Sequence, residues 1–194
     1  MHYQLKITLQ DVEPAVWRRV LVPSDFTLYE LHHVIQIAMG WEDCHLHDFT
    51  IKQERYTVPS RDDFDDSFDA TRVQVADAVR PRSKFVYQYD FGDRWNHILL
   101  VEKVVRDAAL SGPICVDGAR ACPPEDSGGA WGYAETLEAL SKPDDEETEE
   151  LREWIGDDFD PELFDRDSVN QGLRRFFRPP RKRSIANRRP SRPR

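Results

Sequence analysis

Polar and apolar residues alternate at the beginning of the chain. The alternation has a period of two over residues 3–9 and again over residues 16–22, and a period of two is typical of β-strands. Turn-forming residues occupy positions 11–14 between the two segments. The pattern therefore predicts a β-hairpin whose loop is longer than two residues.

The spacing of the apolar residues changes to that of a helix over residues 27–39. The apolar positions that fall on one helical face are Leu28, Leu31, Ile35 and Met39. Thr27 and Glu30 have the spacing of a capping box, in which each side chain accepts a hydrogen bond from the backbone of the other. Gly40 stands where a left-handed residue commonly ends a helix. We therefore expect one helix over this segment.

The clearest alternation lies in residues 84–105, which predict a second hairpin. Phe85, Tyr87 and Tyr89 alternate with polar residues, and Gly92-Asp93 has the order preferred in a two-residue type II′ turn. The cross-strand pairs expected from that turn are Gln88 with His97, Asp90 with Trp95 and Tyr87 with Ile98. This register places the side chains of Gln88, Asp90, Trp95 and His97 on one face of the hairpin.

The rest of the chain completes an α+β pattern. It predicts a third strand over 46–55, an acidic loop over 61–70, a short element over 73–79, an ordered loop over 111–131 and helices over 132–141, 146–155 and 161–177, the last with Asp160 as its N-cap. Hairpins followed by helices indicate an antiparallel sheet with helices packed on one side and further helices at the C-terminal end. We expect one domain over 1–177 and a disordered basic tail over 178–194.

Charge is distributed unevenly along the chain. Residues 178–194 contain eight Lys or Arg and no acidic residue, so the remainder carries −17 although the whole chain carries −9. The tail residues that are candidates for binding nucleic acid are Arg181, Lys182, Arg183, Arg188 and Arg189. A solubilising tail, or a tail folded onto the acidic body, explains the same composition.

The sequence contains no sign of export or of membrane insertion. The first residues lack the basic and apolar regions of a signal peptide, and no apolar run approaches the roughly 18 residues of a membrane helix. We therefore expect a cytoplasmic protein without a membrane partner.

Acidic and imidazole side chains are concentrated near the second hairpin. The candidate polar site consists of Asp90, Asp93, His97, His47 and Glu125, and the candidate metal ligands are His45, His47, Asp90 and His97. Carboxylate and imidazole groups together form the ligand set of hydrolytic zinc and manganese centres, so a divalent metal ion is the candidate cofactor. The structural alternative is that these groups satisfy one another inside the fold.

The three cysteines, Cys44, Cys115 and Cys122, do not have the spacing of a zinc finger. They form a three-thiol metal site only if the fold brings them together. Buried, unreactive thiols are the alternative.

Several motifs together resemble the plasmid pRiA ORF-3-like family. They are PAVWRR (14–19), LYELHHVIQ (28–36), MGW (39–41), HLHDF (45–49), YQYDFGDRWNH (87–97), CPPEDSGG (122–129), Gly132-Tyr133 and the 160–170 segment. Some relatives have a third cysteine where this chain has Ser127. The resemblance implies an accessory protein of plasmids and transposons, and it supplies no catalytic residues.

Two functions follow from the motifs and the charge pattern. The first is a binding or interaction module with a protein partner, or with a nucleic acid bound through the tail. The alternative is a metal-dependent hydrolase that uses Asp90, His97 and His47.

Overall fold

The computed structural model describes residues 1–59, 66–142, 146–156 and 158–178. In these residues eight strands form one sheet, and five helices accompany it. The strands are β1 (His2–Leu9), β2 (Trp17–Pro23), β3 (His47–Ile51), β4 (Glu54–Thr57), β5 (Phe68–Asp69), β6 (Lys84–Tyr89), β7 (Trp95–Val105) and β8 (Ile114–Ala119). The helices are α1 (Leu28–Met39), α2 (Val75–Ala78), α3 (Gly129–Leu140), α4 (Glu146–Ile155) and α5 (Arg166–Phe176).

The sheet is mainly antiparallel. Its strand order is β5-β4-β3-β6-β7-β1-β2-β8, and the described pairs are antiparallel apart from β4 with β5. Alternate residues of β1 (Leu5, Ile7 and Leu9) and of β6 and β7 are buried in one core, which α1 covers with Leu28 and Leu31. Burial of this apolar face is what favours folding. The predicted α+β class is confirmed.

Helix α1 has both of the predicted caps. The Thr27 hydroxyl accepts a hydrogen bond from the Glu30 backbone N–H, and the Glu30 carboxylate accepts one from the Thr27 N–H at 2.7 Å. Gly40 ends the helix in the left-handed conformation, with φ 95°. Within the described residues, none of the helices combines the length and hydropathy needed to span a bilayer.

The predicted register of the second hairpin is wrong by one residue. Tyr87 lies opposite His97, and Tyr89 lies opposite Trp95, so residues 90–94 form a five-residue connection. Asp90 has φ 54°, and its Oδ1 accepts a hydrogen bond from the Gly92 N–H at 2.8 Å, which replaces the two-residue turn. Because neighbouring residues of a strand point to opposite faces, this shift moves His97 to the core face.

Three other predicted segments differ from the structure. The predicted strand 46–55 is divided by a turn at Lys52 and Gln53, which both have positive φ. The predicted loop 111–131 contains β8, which pairs with β2 at the edge of the sheet. The predicted helix 161–177 begins at Arg166, because the Asp165 carboxylate accepts hydrogen bonds from the next turn and makes Asp165 the N-cap.

Two predictions involve residues outside the described part of the chain. The predicted acidic loop 61–70 is described only from residue 66 onwards, where it includes β5. The predicted disordered tail is described only at Arg178. The candidate nucleic-acid residues 181–183, 188 and 189 therefore also lie outside the described residues.

Candidate metal centre

Strand pairing brings two of the polar segments together. β3 and β6 are antiparallel neighbours, so the residues before β3 run beside those after β6. His47 lies opposite Tyr89, and the Leu46 carbonyl accepts a hydrogen bond from the Asp90 N–H at 2.9 Å. His45 and Asp90 are therefore held near each other at one end of the sheet.

The loop between β8 and α3 reaches the same place. Trp41, which is buried, donates a hydrogen bond from its indole Nε1 to the Pro123 carbonyl at 3.0 Å. The Asp93 carboxylate accepts a hydrogen bond from the Gly128 N–H at 3.0 Å. A Cβ atom at residue 129 would lie 2.6 Å from the Asp93 carbonyl oxygen, so the close approach of this loop requires Gly129.

One imidazole nitrogen faces three carboxylates. His45 Nε2 lies 3.1 Å from Asp126 Oδ1, 3.8 Å from Asp90 Oδ2 and 3.9 Å from Glu125 Oε2. We refer to His45, Asp90, Glu125 and Asp126 as the His45 cluster. The 3.1 Å contact with Asp126 does not have the geometry of a hydrogen bond. His45 Nε2 and Glu125 Oε2 are therefore both buried without a hydrogen-bond partner among the described residues. Such buried, unpaired polar atoms are uncommon in folded proteins.

Neighbouring groups fix the orientation of Glu125. Its Oε1 accepts hydrogen bonds from the Glu42 backbone N–H and from the Tyr89 hydroxyl, both at 2.9 Å. Burial raises the pKa of Tyr89, so its hydroxyl keeps the proton that it donates. With Oε1 engaged in this way, Oε2 is directed towards His45.

The Cys44 thiol lies at the edge of the cluster. Ligand atoms of Cys44, His45 and Glu125 lie within 4.8 Å of one another, and Cys44 is exposed. Cys115 is buried near Asn170, and Cys122 lies against Met39. Among the described residues, the three thiols do not form a common site.

The predicted site residues are divided among four places. Asp90 and Glu125 belong to the His45 cluster, as does the predicted metal ligand His45. The Asp93 carboxylate accepts a hydrogen bond from the Gly128 N–H, in the loop between β8 and α3. The ring of His47 stacks on His32. His97 is fully buried, with its Nδ1 3.3 Å from the Tyr87 carbonyl oxygen, because Tyr87 lies opposite His97 in the hairpin.

Sequence reasoning did not predict one member of the His45 cluster, Asp126, or the position of Cys44 at its edge. Asp126 follows Glu125 directly, and Cys44 precedes His45, so adjacency was the available signal. Adjacent side chains usually diverge, and the positive φ of Asp126 that turns it towards His45 is not visible in the sequence.

Comparison with known proteins identifies the family. Residues 1–168 match the sequence profile of the plasmid pRiA4b ORF-3-like proteins. The chain belongs to the plasmid pRiA4b ORF-3-like family. The resemblance seen in the motifs is thereby confirmed, and the association with plasmids comes from the name of this family.

Two relatives of this plasmid pRiA4b ORF-3-like chain span nearly its whole length. The uncharacterized protein y4hQ of Sinorhizobium fredii (strain NBRC 101917 / NGR234) is 39% identical over 173 residues, which are 88% of this chain and 89% of that protein. The crystal structure of MM3350, a protein of unknown function from Methanosarcina mazei Go1, has a TM-score of 0.80 at 38% identity. The match covers 87% of this chain and 97% of that structure.

The His45 cluster lies in motifs that carry the resemblance to the plasmid pRiA4b ORF-3-like family. His45 belongs to HLHDF, Asp90 to YQYDFGDRWNH, and Glu125 and Asp126 to CPPEDSGG. The fold thus brings three separate family motifs to one point at the end of the sheet.

Proposed function

We propose that this protein binds a divalent transition metal ion through the His45 cluster and uses the ion in hydrolysis. The observation that carries the proposal is the convergence of three carboxylates on His45 Nε2, at 3.1, 3.8 and 3.9 Å. Three segments that are far apart in the sequence supply these groups. Imidazole and carboxylate together are ligands that suit zinc and manganese.

Charge balance supports a cation at this position. Ligand oxygens of Asp90 and Asp126 lie within 4.8 Å of each other and of the His45 ring. Carboxylates at this separation repel each other, and no Lys or Arg is paired with Asp90, Glu125 or Asp126 among the described ion pairs. A divalent cation would offset this repulsion and give the unpaired Glu125 Oε2 a partner.

The exposure of the cluster favours hydrolytic chemistry over a structural role. The Asp126 side chain is 72% exposed, so the cluster is open to solvent on that side. Structural zinc sites are closed by four protein ligands, whereas catalytic sites keep a position for water. A metal ion at such a position polarises a substrate carbonyl or phosphoryl oxygen and lowers the pKa of bound water.

A second candidate function is binding of nucleic acid or of a protein partner. It is supported by the eight basic residues and the absence of acidic residues in 178–194. This function does not require the His45 cluster, so it can be tested independently of the metal site.

Replacement of Glu125 by Gln tests the metal site. The amide keeps the side-chain shape and an oxygen for Glu42 and Tyr89, but it places a poor ligand where Oε2 faces His45. We expect zinc affinity, measured by competition with a chromophoric chelator on untagged protein, to fall by more than about 100-fold. Loss of an outer-shell partner alone already costs about 10–100-fold.

Glu102→Gln is the matched control. Glu102 is also a partly buried carboxylate, but it is paired with Arg19 at 2.8 Å on the sheet. We expect this variant to bind zinc as the wild type does. Equal affinity in the wild type and in Glu125→Gln would refute the metal site. Zinc binding at the cluster without metal-dependent hydrolysis of any ester or phosphoester in a substrate panel would refute the hydrolytic role.

A further inference from the structure

A second group of imidazoles lies close to the His45 cluster in the sequence and shares none of its ligands. α1 provides His32 and His33, and the loop after α1 provides Asp43. Asp43 Oδ1 lies 2.7 Å from His32 Nε2, and Asp43 Oδ2 lies 3.5 Å from His33 Nδ1. Ligand atoms of these three residues lie within 4.8 Å of one another.

His47 adds a third imidazole. Its ring lies parallel to that of His32, with 3.4 Å between the ring centroids and 6° between the planes. His47 is 8% exposed, and its Nε2 is buried without a hydrogen-bond partner among the described residues. We refer to His32, His33, Asp43 and His47 as the His32 cluster. The ring stacked on His32 thus carries a buried nitrogen without a described partner, next to three residues whose ligand atoms converge.

Surrounding hydrogen bonds hold the cluster in place. The Tyr87 hydroxyl lies 2.8 Å from His32 Nδ1 and accepts a hydrogen bond from Gln36 Nε2 at 2.9 Å. Gln36 Oε1 in turn accepts a hydrogen bond from the Asp43 N–H at 3.0 Å. Metal-binding histidines are commonly oriented by such a partner on the second ring nitrogen.

The imidazoles of the cluster are neutral at pH 7. Burial lowers the pKa of His32 and of His47 to about 3, and burial also lowers the pKa of His33. Neutral imidazole is the form that binds metal ions, because its second nitrogen has a free lone pair.

We propose that His32, His33 and Asp43, with His47 beside them, form a second metal site, which takes a first-row transition ion such as zinc or cobalt. Imidazole-rich sites favour these ions, whereas magnesium and calcium prefer oxygen ligands. The site is independent of the proposed function, because it has no residue in common with the His45 cluster.

The number of zinc ions bound per chain tests this proposal. Untagged full-length protein is freed of metal with a chelator and titrated with zinc, and bound metal is counted by elemental analysis. We expect two equivalents in the wild type and one in each of His33→Ala, Asp43→Asn and Glu125→Gln. The double variant His33→Ala/Glu125→Gln should bind none.

His2→Gln is the control, since His2 lies outside both clusters and contacts the Gly112 carbonyl oxygen instead. It should retain two equivalents. Near-ultraviolet circular dichroism verifies that each variant keeps the packing of its aromatic core. His33 and Asp43 are suitable positions for substitution because both side chains are partly exposed, whereas His32 is fully buried.

The outcomes separate the two metal proposals. If the wild type binds one equivalent of zinc, and this zinc is lost in His33→Ala and kept in Glu125→Gln, the result would support the His32 site and refute the His45 site. Zinc binding in His33→Ala and Asp43→Asn that equals the wild type in number and affinity would overturn the His32 site. Absence of zinc binding by the wild type would overturn both.

Discussion

At the scale of single residues, burial determines the protonation state of His97. The ring is fully buried, its Nδ1 faces the Tyr87 carbonyl, and it makes a T-shaped contact with the Trp41 ring. Burial lowers the pKa of His97 to about 3. In the unfolded chain the His97 imidazole binds a proton below about pH 6.5, whereas in the folded protein it stays neutral down to about pH 3. The folded state therefore loses stability as the pH falls from about 6.5 towards 3.

His97→Phe removes the contribution of this imidazole to the pH dependence of stability and keeps a planar ring. We expect the free energy of unfolding to depend less on pH between 4 and 6, by about 1.4 kcal/mol per pH unit, which corresponds to one proton. Urea unfolding at several pH values measures the slope. Part of the pH dependence remains in this variant, because burial also lowers the pKa of His32 and of His47. An unchanged slope would contradict the account of His97 as a neutral core residue.

The candidate site could be predicted from the sequence only in part. The residue types of Asp90, Glu125 and His45 suit a metal ion, and the sequence predicts these three as polar or metal-binding residues. A two-residue turn predicts that His97 lies beside Asp90. The Asp90 carboxylate instead accepts a hydrogen bond from the Gly92 N–H, and the connection is longer. The difference of one residue in register places His97 in the core and not at the surface.

At the scale of secondary structure, locally determined elements were predicted well. The capping box of Thr27 and Glu30 and the left-handed Gly40 are encoded within a few residues, so α1 matches its prediction closely. β8 was missed, because Ile114–Ala119 lies in a segment rich in Pro, Gly and Cys. That segment becomes a strand through its pairing with β2, which lies about 100 residues earlier in the chain.

The loops of the site depend on similar long-range contacts. Trp41 binds the Pro123 carbonyl, Tyr89 binds Glu125, and Asp93 binds the Gly128 N–H. Each contact joins residues that are at least 35 positions apart in the sequence. Sequence patterns within a short window therefore indicate which residue types are available, while the packing of the loops determines which of them meet.

At the scale of the whole molecule, the uneven charge leads to a prediction for nucleic-acid binding. We expect the full chain to bind DNA weakly, with log affinity falling against log salt concentration with a slope of up to about −7, if each of the eight basic tail residues contacts a phosphate. Removal of residues 178–194 should abolish binding, since the remaining chain is acidic. Fluorescence anisotropy at several salt concentrations measures both effects.

A variant of unchanged length distinguishes charge from chain length in this experiment. The residues changed to Gln are Arg181, Lys182, Arg183, Arg188 and Arg189. This variant should bind DNA more weakly and with a shallower salt slope than the wild type. DNA binding that survives both the deletion and the substitutions would exclude the tail as the contact surface.

The central claim is that a metal ion binds where three family motifs meet at His45. Crystals of the wild-type protein grown with zinc, with data collected on both sides of the zinc absorption edge, test it most directly. We predict an anomalous peak about 2.0–2.2 Å from His45 Nε2 and from oxygens of Asp90, Glu125 or Asp126. A map with no anomalous peak at His45, in crystals that contain excess zinc, would contradict the account.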